Sequence, residues 1–315
     1  MITPPFLQPG DTVALVAPAY HIKPTQWEPV IPLLQSWGLQ VETGNTLRLQ
    51  DGVFAGSDPQ RLEDLVSMLC NPQIKAIFCA RGGYGSVRLL PDLERYSSAF
   101  NPKWLIGYSD VTVLASFMVN RLRWQCIHGP MAIDLAGEQS VDGQKSLVLR
   151  EVQAWDYLRR LLFGQMPSYT LPAHSLNRCG NTTAPLVGGN LSVIFSLNAT
   201  PYQWQTDGCI LFIEDVGEKL YHLDRMMTNL RIGGQLAKLK GLLVGAMNGM
   251  HDSEPSFGKT AYEIIASHVE NYDYPVAFNF PAGHDGVNFP LMIGANTNLN
   301  VTEQTVVSQS LTTNH

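Results

Sequence analysis

The chain has 315 residues, 45% hydrophobic and 15% charged, with 21 Lys and Arg against 27 Asp and Glu and a formal net charge of −6. That much apolar surface excludes a chain that stays disordered, and at ~150 residues per domain the length suggests two domains or one large one. The acidic balance lacks the footprint of a general nucleic-acid binder and presents no basic face to anionic lipid.

No positive charge precedes Lys23 and no apolar core follows the first residues, so no cleaved signal peptide is expected. No apolar run approaches the ~20 residues that span a bilayer. Cys70, Cys79, Cys126, Cys179 and Cys209 are scattered, form no C-x-x-C pair, and read as reduced, mostly buried thiols of a cytoplasmic protein.

In chain order, Thr12–Ala17 (TVALVA) reads as a first strand, ended by Pro18. Pro24–Trp37 has helical spacing, with Trp27, Val30, Ile31 and Leu34 on one side, but Pro29 and Pro32 point to a kink or break. Gln40–Thr43 suits a second strand. Asp58-Pro59 has the form of an N-cap followed by proline, opening a helix to about Cys70 with Leu62, Leu65, Val66 and Leu69 on one face. Ile74–Ala80 is a third strand and opens into Arg81-Gly82-Gly83-Tyr84-Gly85. Trp104–Gly107 is a fourth, followed by Tyr108-Ser109-Asp110 and a helix to about Asn120; Trp124–His128 is a fifth. This alternation predicts a parallel sheet covered by helices, an α/β domain over 1–163.

Residues 164–180 are polar and proline-bearing and read as a linker. Beyond it come Gly188-Gly189-Asn190, the strand Cys209–Glu214 (CILFIE), a helix over Glu218–Arg231 stopped by Gly233-Gly234, and short strand candidates at Gly241–Met247, Val276–Phe280, Leu291–Ile293 and Leu299–Val301. These predict a smaller, β-rich domain over 181–305 and a frayed tail over 306–315.

Three segments carry chemistry. Leu105-Ile106-Gly107-Tyr108-Ser109-Asp110 ends a strand in a serine that opens a helix, as in nucleophile elbows, and the backbone N–H of Asp110 then points where an oxyanion forms. Ser109 or Asp110 acting only as a helix cap is the alternative, and the full G-x-S-x-G pattern is missing. The loop Arg81–Gly85 can bring backbone close to a ligand, supply a second oxyanion donor and offer Arg81 to a carboxylate; a plain tight turn is its alternative. Of eight histidines, His284 stands out because it lies in a Gly-flanked loop, Pro281–Gly286, after an apolar strand. Glu214, at a strand end, is placed to orient a histidine, with Asp215 and Glu218 close by and helix capping as the competing use. There is no G-x-G-x-x-G and no H-E-x-x-H, so neither a dinucleotide nor a metal is expected.

In order along the chain stand Gly10-Asp11 with VALVAPA, Arg81-Gly82-Gly83-Tyr84-Gly85, Ile106-Gly107-Tyr108-Ser109-Asp110, His128-Gly129-Pro130-Met131, Gly188-Gly189-Asn190-Leu191, Phe212–Val216, Tyr221 with Asp224-Arg225, and Gly283-His284. As an ordered set these resemble the LD-carboxypeptidases, or murein tetrapeptide carboxypeptidases. The resemblance implies an N-terminal α/β domain similar to class I glutamine amidotransferases, carrying a nucleophile at Ser109, and a β-rich C-terminal domain carrying an orienting Glu214 and a general base at His284. It implies an oxyanion hole from the N–H groups of Asp110 and of Gly82 or Gly83, with Arg81 and Tyr84 as substrate-binding candidates. It further implies a cytoplasmic homodimer, without metal or organic cofactor, that releases D-alanine from murein tetrapeptides. The family also contains microcin-immunity peptidases, which cut an aminoacyl-nucleotide amide; these, and a non-catalytic binding module, are the competing functions.

Overall fold

Short apolar runs frame the first unit. In the computed structural model, which describes residues 1–141, 144–149 and 152–310, five strands pair in parallel: β1 (Thr12–Val16), β2 (Gln40–Thr43), β3 (Ile74–Cys79), β4 (Trp104–Ile106) and β5 (Cys126–His128). β3, β4 and β5 are buried almost throughout, which is why their sequences read as mainly apolar runs rather than alternating ones. A hairpin absent from the sequence reading follows, β6 (Ala136–Val141) against β7 (Gln144–Leu149).

The helix expected over Pro24–Trp37 is two helices, Pro24–Trp27 and Val30–Ser36, because Pro29 has no N–H to continue the first and instead begins the second. The helix Asp58–Cys70 is capped by Ser57, not by Asp58. Gln60 Oε1 accepts the Ser57 backbone N–H at 2.9 Å, a capping box, while Asp58 sits inside the first turn and pairs with Arg61 and Arg88. At the other end of this helix the buried Lys103 ammonium donates to the carbonyls of Met68 and Asn71, both at 2.7 Å. The helix after β4 begins as a 3₁₀ turn, Ser109–Val111, and continues through Thr112–Ser116 into a π turn at Phe117–Leu122.

The first unit spans Met1–Gln165 and takes back Phe289–Leu291; the second spans Met166–Asn288 and the chain from Met292 on. The second unit carries β8 (Ser168–Pro172), β9 (Gly180–Asn190), β10 (Ile210–Val216), β11 (Gly241–Asn248), β12 (Val276–Ala277), β13 (Leu291–Ile293), β14 (Asn296–Val301) and β15 (Gln304–Ser310), β13 beginning in the returned segment. The six-stranded sheet runs β13–β5–β4–β3–β1–β2, and the seven-stranded sheet β12–β11–β10–β9–β14–β15–β8. The larger sheet changes character within β9. Gly180–Pro185 pairs antiparallel with β14, and Leu186–Asn190 pairs parallel with β10.

Two boundaries differ from the sequence reading. The stretch 164–180 holds β8 and the start of β9, so it is no simple linker. Of the expected tail 306–315, residues up to Ser310 belong to β15, which is hydrogen-bonded on both edges; 311–315 lie outside the described residues. The helices Val152–Leu162 and Ala261–Val269 are additions. Of the five free cysteines only Cys79 and Cys126 are buried, and desolvation pushes both thiols up; Cys179 is exposed. Among the described residues no helix is long and apolar enough to cross a membrane.

The cap assignment is testable. Ser57→Ala should cost about 1 kcal/mol of stability in urea unfolding, the usual loss for an N-cap. A loss within error of zero would return the capping role to Asp58.

Candidate active site

In the first unit the chain leaves β4 through Gly107, where a Cβ would crowd the Val111 side chain at 3.0 Å and Cys79 Cβ at 3.2 Å. Tyr108 is extended, and its hydroxyl donates to Asp134 Oδ1 at 3.0 Å. Ser109 then adopts φ +61°, a left-handed conformation that is uncommon outside glycine and that clusters at functional sites. This is the strained strand-to-helix turn expected of an elbow. The capping alternative fails on its own terms, because Tyr108 occupies the cap position of the 3₁₀ turn and no side chain caps it.

The glycine loop is fastened to this elbow by Asp110. Its carboxylate is 4% exposed and accepts the Ser86 backbone N–H at 2.9 Å; burial raises its pKa, opposed by the hydrogen bonds from Ser86 and Gly85. Gly82 consequently lies against Ser109. A Cβ on Gly82 would stand 3.0 Å from Ser109 Cβ, 3.1 Å from its Oγ and 3.3 Å from the Asp110 amide nitrogen. Gly83, at φ +110°, faces the Tyr20 ring instead. Arg81 donates from one guanidinium nitrogen to the His21 carbonyl at 3.1 Å and lies 5.6 Å from the Tyr20 ring centroid. Tyr84 is half exposed, its ring 6.1 Å from that of Phe54. Ser109, Asp110 and Gly82 are thus assembled in one place, with Arg81 and Tyr84 on the flanking loop.

In the second unit Glu214 sits near the carboxyl end of β10 and is fully buried. Its Oε2 is 2.8 Å from His284 Nδ1 and accepts the His284 backbone N–H at 3.2 Å. An ionised Glu214 therefore selects the tautomer protonated at Nδ1 and leaves Nε2 as a proton acceptor. The fit depends on two glycines. A Cβ on Gly283, at φ +102°, would overlap the Glu214 carboxylate, and one on Gly245 would press on Glu214 Cβ and the Ala282 carbonyl. Asn288 Oδ1 accepts the Gly283 N–H at 2.9 Å, and Asn248 Nδ2 donates to the His284 carbonyl at 2.9 Å, so the loop is held from both sides.

The neighbouring acids have other work. Asp215 is buried and accepts from Asn190, Ser192 and Val216, and Glu218 lies 2.6 Å from His222 Nδ1. The sequence reading singled out neither Asn248 nor Asn288, and it quoted Asn190 without a role. A lone asparagine at a strand end or in a loop carries no local signal of the group it will hold.

Two family models match the chain: the LD-carboxypeptidase N-terminal domain over residues 13–129 and the LD-carboxypeptidase C-terminal domain over residues 183–299. A probable murein peptide carboxypeptidase of Bacillus subtilis is 31% identical over 98% of this chain and 94% of its own length. The murein tetrapeptide carboxypeptidase of Pseudomonas aeruginosa is 32% identical over 89% of this chain and 91% of its own. The chain belongs to the LD-carboxypeptidase family. It is accordingly a serine-type carboxypeptidase. The fold agrees with solved structures at lower identity: muramoyltetrapeptide carboxypeptidase from Oxalobacter formigenes (TM-score 0.80, 24% identical, covering 95% of this chain and 98% of that one) and the microcin C7 self-immunity protein MccF (TM-score 0.84, 20% identical, 99% and 100%).

The two glycines of the His284 loop give a matched test. Gly286 has open space where a Cβ would stand, whereas at Gly283 the Glu214 carboxylate occupies it. Gly283→Ala should lose stability by about 1–3 kcal/mol and most of its activity, and Gly286→Ala should lose little of either. Equal behaviour of the two in thermal melts and turnover would contradict the packing of Glu214 beneath Gly283.

Proposed function

We propose that this protein is a serine LD-carboxypeptidase that releases the C-terminal D-alanine from murein tetrapeptides, acting as a cytoplasmic homodimer in peptidoglycan recycling. The observation that carries the reading is the buried Glu214 carboxylate 2.8 Å from His284 Nδ1, which prepares Nε2 to accept a proton. The names of the B. subtilis and P. aeruginosa relatives support murein peptide as the substrate.

In this mechanism Ser109 is the nucleophile, His284 the general base and Glu214 its orienting acid. His284 Nε2 takes the hydroxyl proton as Ser109 Oγ attacks the carbonyl carbon of the scissile amide. The reading requires Oγ to come within hydrogen-bond reach of Nε2 when substrate is bound. The backbone N–H of Asp110 and one from the Gly82–Gly83 turn hold the oxyanion, each donor worth about 3–4 kcal/mol of transition-state stabilisation. The imidazolium, stabilised by Glu214, gives its proton to the leaving amine of D-alanine, and an acyl-enzyme on Ser109 remains. Water, deprotonated by His284, attacks the ester and returns the hydroxyl. Arg81, beside Tyr84 on the loop, is assigned to the substrate's terminal carboxylate.

Ser109→Ala should leave the fold intact and cut D-alanine release by well over a hundredfold, and Glu214→Gln should lose at least about a hundredfold, mainly in kcat, because the acid acts on charge that develops in the transition state. Folded Ser109→Ala that keeps more than about a hundredth of wild-type turnover would remove Ser109 from the nucleophile's role. Amidating the terminal D-alanine should slow turnover sharply; equal rates would argue against a carboxylate-reading exopeptidase. The same assay run with an aminoacyl-nucleotide separates the microcin-immunity activity, and inertness toward both substrates would indicate a binding module.

A further inference from the structure

A buried cation lies beneath the glycine loop of the first unit, and the mechanism above gives it no part. Arg61, on the helix Asp58–Cys70, is fully buried. Its Nη1 donates to the Pro18 carbonyl at 2.6 Å, and its Nη2 pairs with Asp58. The guanidinium carbon stands 4.8 Å from the Phe54 ring centroid. A Cβ on Gly85, at φ +126°, would stand 2.9 Å from Arg61 Nη1 and 2.9 Å from the Phe54 ring, so the end of the glycine loop rests on both.

The segment that Arg61 grips at Pro18 is the one that holds the oxyanion turn. The Tyr20 N–H donates to the Gly82 carbonyl at 3.3 Å, and the Tyr20 ring lies where a Cβ of Gly83 would stand. A trans peptide unit is planar, so fixing the Gly82 carbonyl also fixes the Gly83 N–H, which points the opposite way. One residue further on, the His21 carbonyl accepts from Arg81 at 3.1 Å. The turn donor and Arg81 thus both hang on residues 18–21. At the other end of the loop Ser86, next to Gly85, is tied to Asp110.

A buried ion pair is seldom worth more than apolar side chains of the same volume, so stability alone gives no reason for an arginine here. An apolar side chain could cover Phe54 and Gly85 but could not donate to the Pro18 carbonyl. A lysine ammonium lacks the planar fork that meets Pro18 and Asp58 in two directions at once. We propose that Arg61 is a positioning residue for the reaction: it fixes residues 18–21, and through the Tyr20–Gly82 hydrogen bond it sets the direction of the oxyanion donor in the Gly82–Gly83 turn. The proposal rests on the reading of Ser109 as nucleophile and of that turn as an oxyanion donor. Arg88 supplies a matched control. It also pairs with Asp58, at 2.7 Å, and lies 5.2 Å from the Phe54 ring centroid, but its side chain is half exposed.

The test follows amide hydrogen exchange by NMR beside turnover, in wild type, Arg61→Lys and Arg88→Lys. In Arg61→Lys the Tyr20 amide should exchange about tenfold faster or more while the amides of β1 and β3 keep their protection. Its kcat for D-alanine release should fall about tenfold or more with KM within about threefold, because the donor acts on charge that develops in the transition state. Arg88→Lys should leave both Tyr20 exchange and turnover within about twofold of wild type. An unchanged Tyr20 amide or an unchanged kcat in folded Arg61→Lys would overturn the proposal. So would exchange that quickens equally in β1 and β3, the mark of a general loss of stability. Should Arg61→Lys fail to fold, wild type still decides: the Arg61 guanidinium protons and the Tyr20 amide should exchange in one slow opening, and a Tyr20 amide that exchanges faster on its own would refute the hold. Exchange needs no turnover, so an inactive wild type would sink the murein reading, while Tyr20 would still uphold or overturn the grip of Arg61 on the loop.

Discussion

A carboxylate with no exposure has to be met by donors, and the second unit is organised around meeting that of Glu214. The His284 ring nitrogen and backbone N–H both converge on Oε2. Their approach needs glycine at 283 and 245, where any side chain would occupy the space of the carboxylate or its stem. Asn288 and Asn248 then hold the loop by its backbone. Features scattered over more than seventy residues of sequence thus answer one electrostatic demand. The return on a desolvated carboxylate is a single tautomer and a single orientation of the imidazole.

The first unit uses a related device. Asp110 is buried, and through Ser86 it fastens the glycine loop against the Ser109 turn. That anchor lets Ser109 keep a left-handed backbone, a strain of about 1–3 kcal/mol that survives only where the surroundings over-determine it. In both units the candidate site residues sit at the carboxyl ends of parallel strands, after β4 in one and at β10 in the other. Side chains that would be helix caps on a surface become structural charges once the sheet and its loops bury them.

Much of the parallel half of the fold was legible because its central strands are buried and so spell themselves as nearly continuous apolar runs, as AIFC and ILFI do. β9 escaped notice for the opposite reason. Its first half is polar, its last residues are Gly188-Gly189-Asn190, and Pro185 interrupts it where it changes from an antiparallel to a parallel neighbour. β15 read as a tail because its inward face includes Thr305 and Gln309, and Gln309 satisfies itself on the backbone of Met292.

What the sequence by itself determined is local: the alternation of strand and helix, the serine at a strand-to-helix turn, the glycine loop before it and the histidine between glycines. Each depends on the period of neighbouring residues or on a backbone conformation that few residue types adopt. Local pattern left Glu214, Asp215 and Glu218 open, the family resemblance pointed to Glu214, and the tertiary structure shows that Glu214 is the one that meets His284. All three are acids within one turn of chain, equal in any local pattern, and they differ only in what lies across from them. Glu214 faces the returning loop of residues 283–288, Asp215 the end of β9, and Glu218 the helix that carries His222. Partnerships between residues some seventy positions apart are set by how strands register and what they bury, and no window of the sequence contains that information.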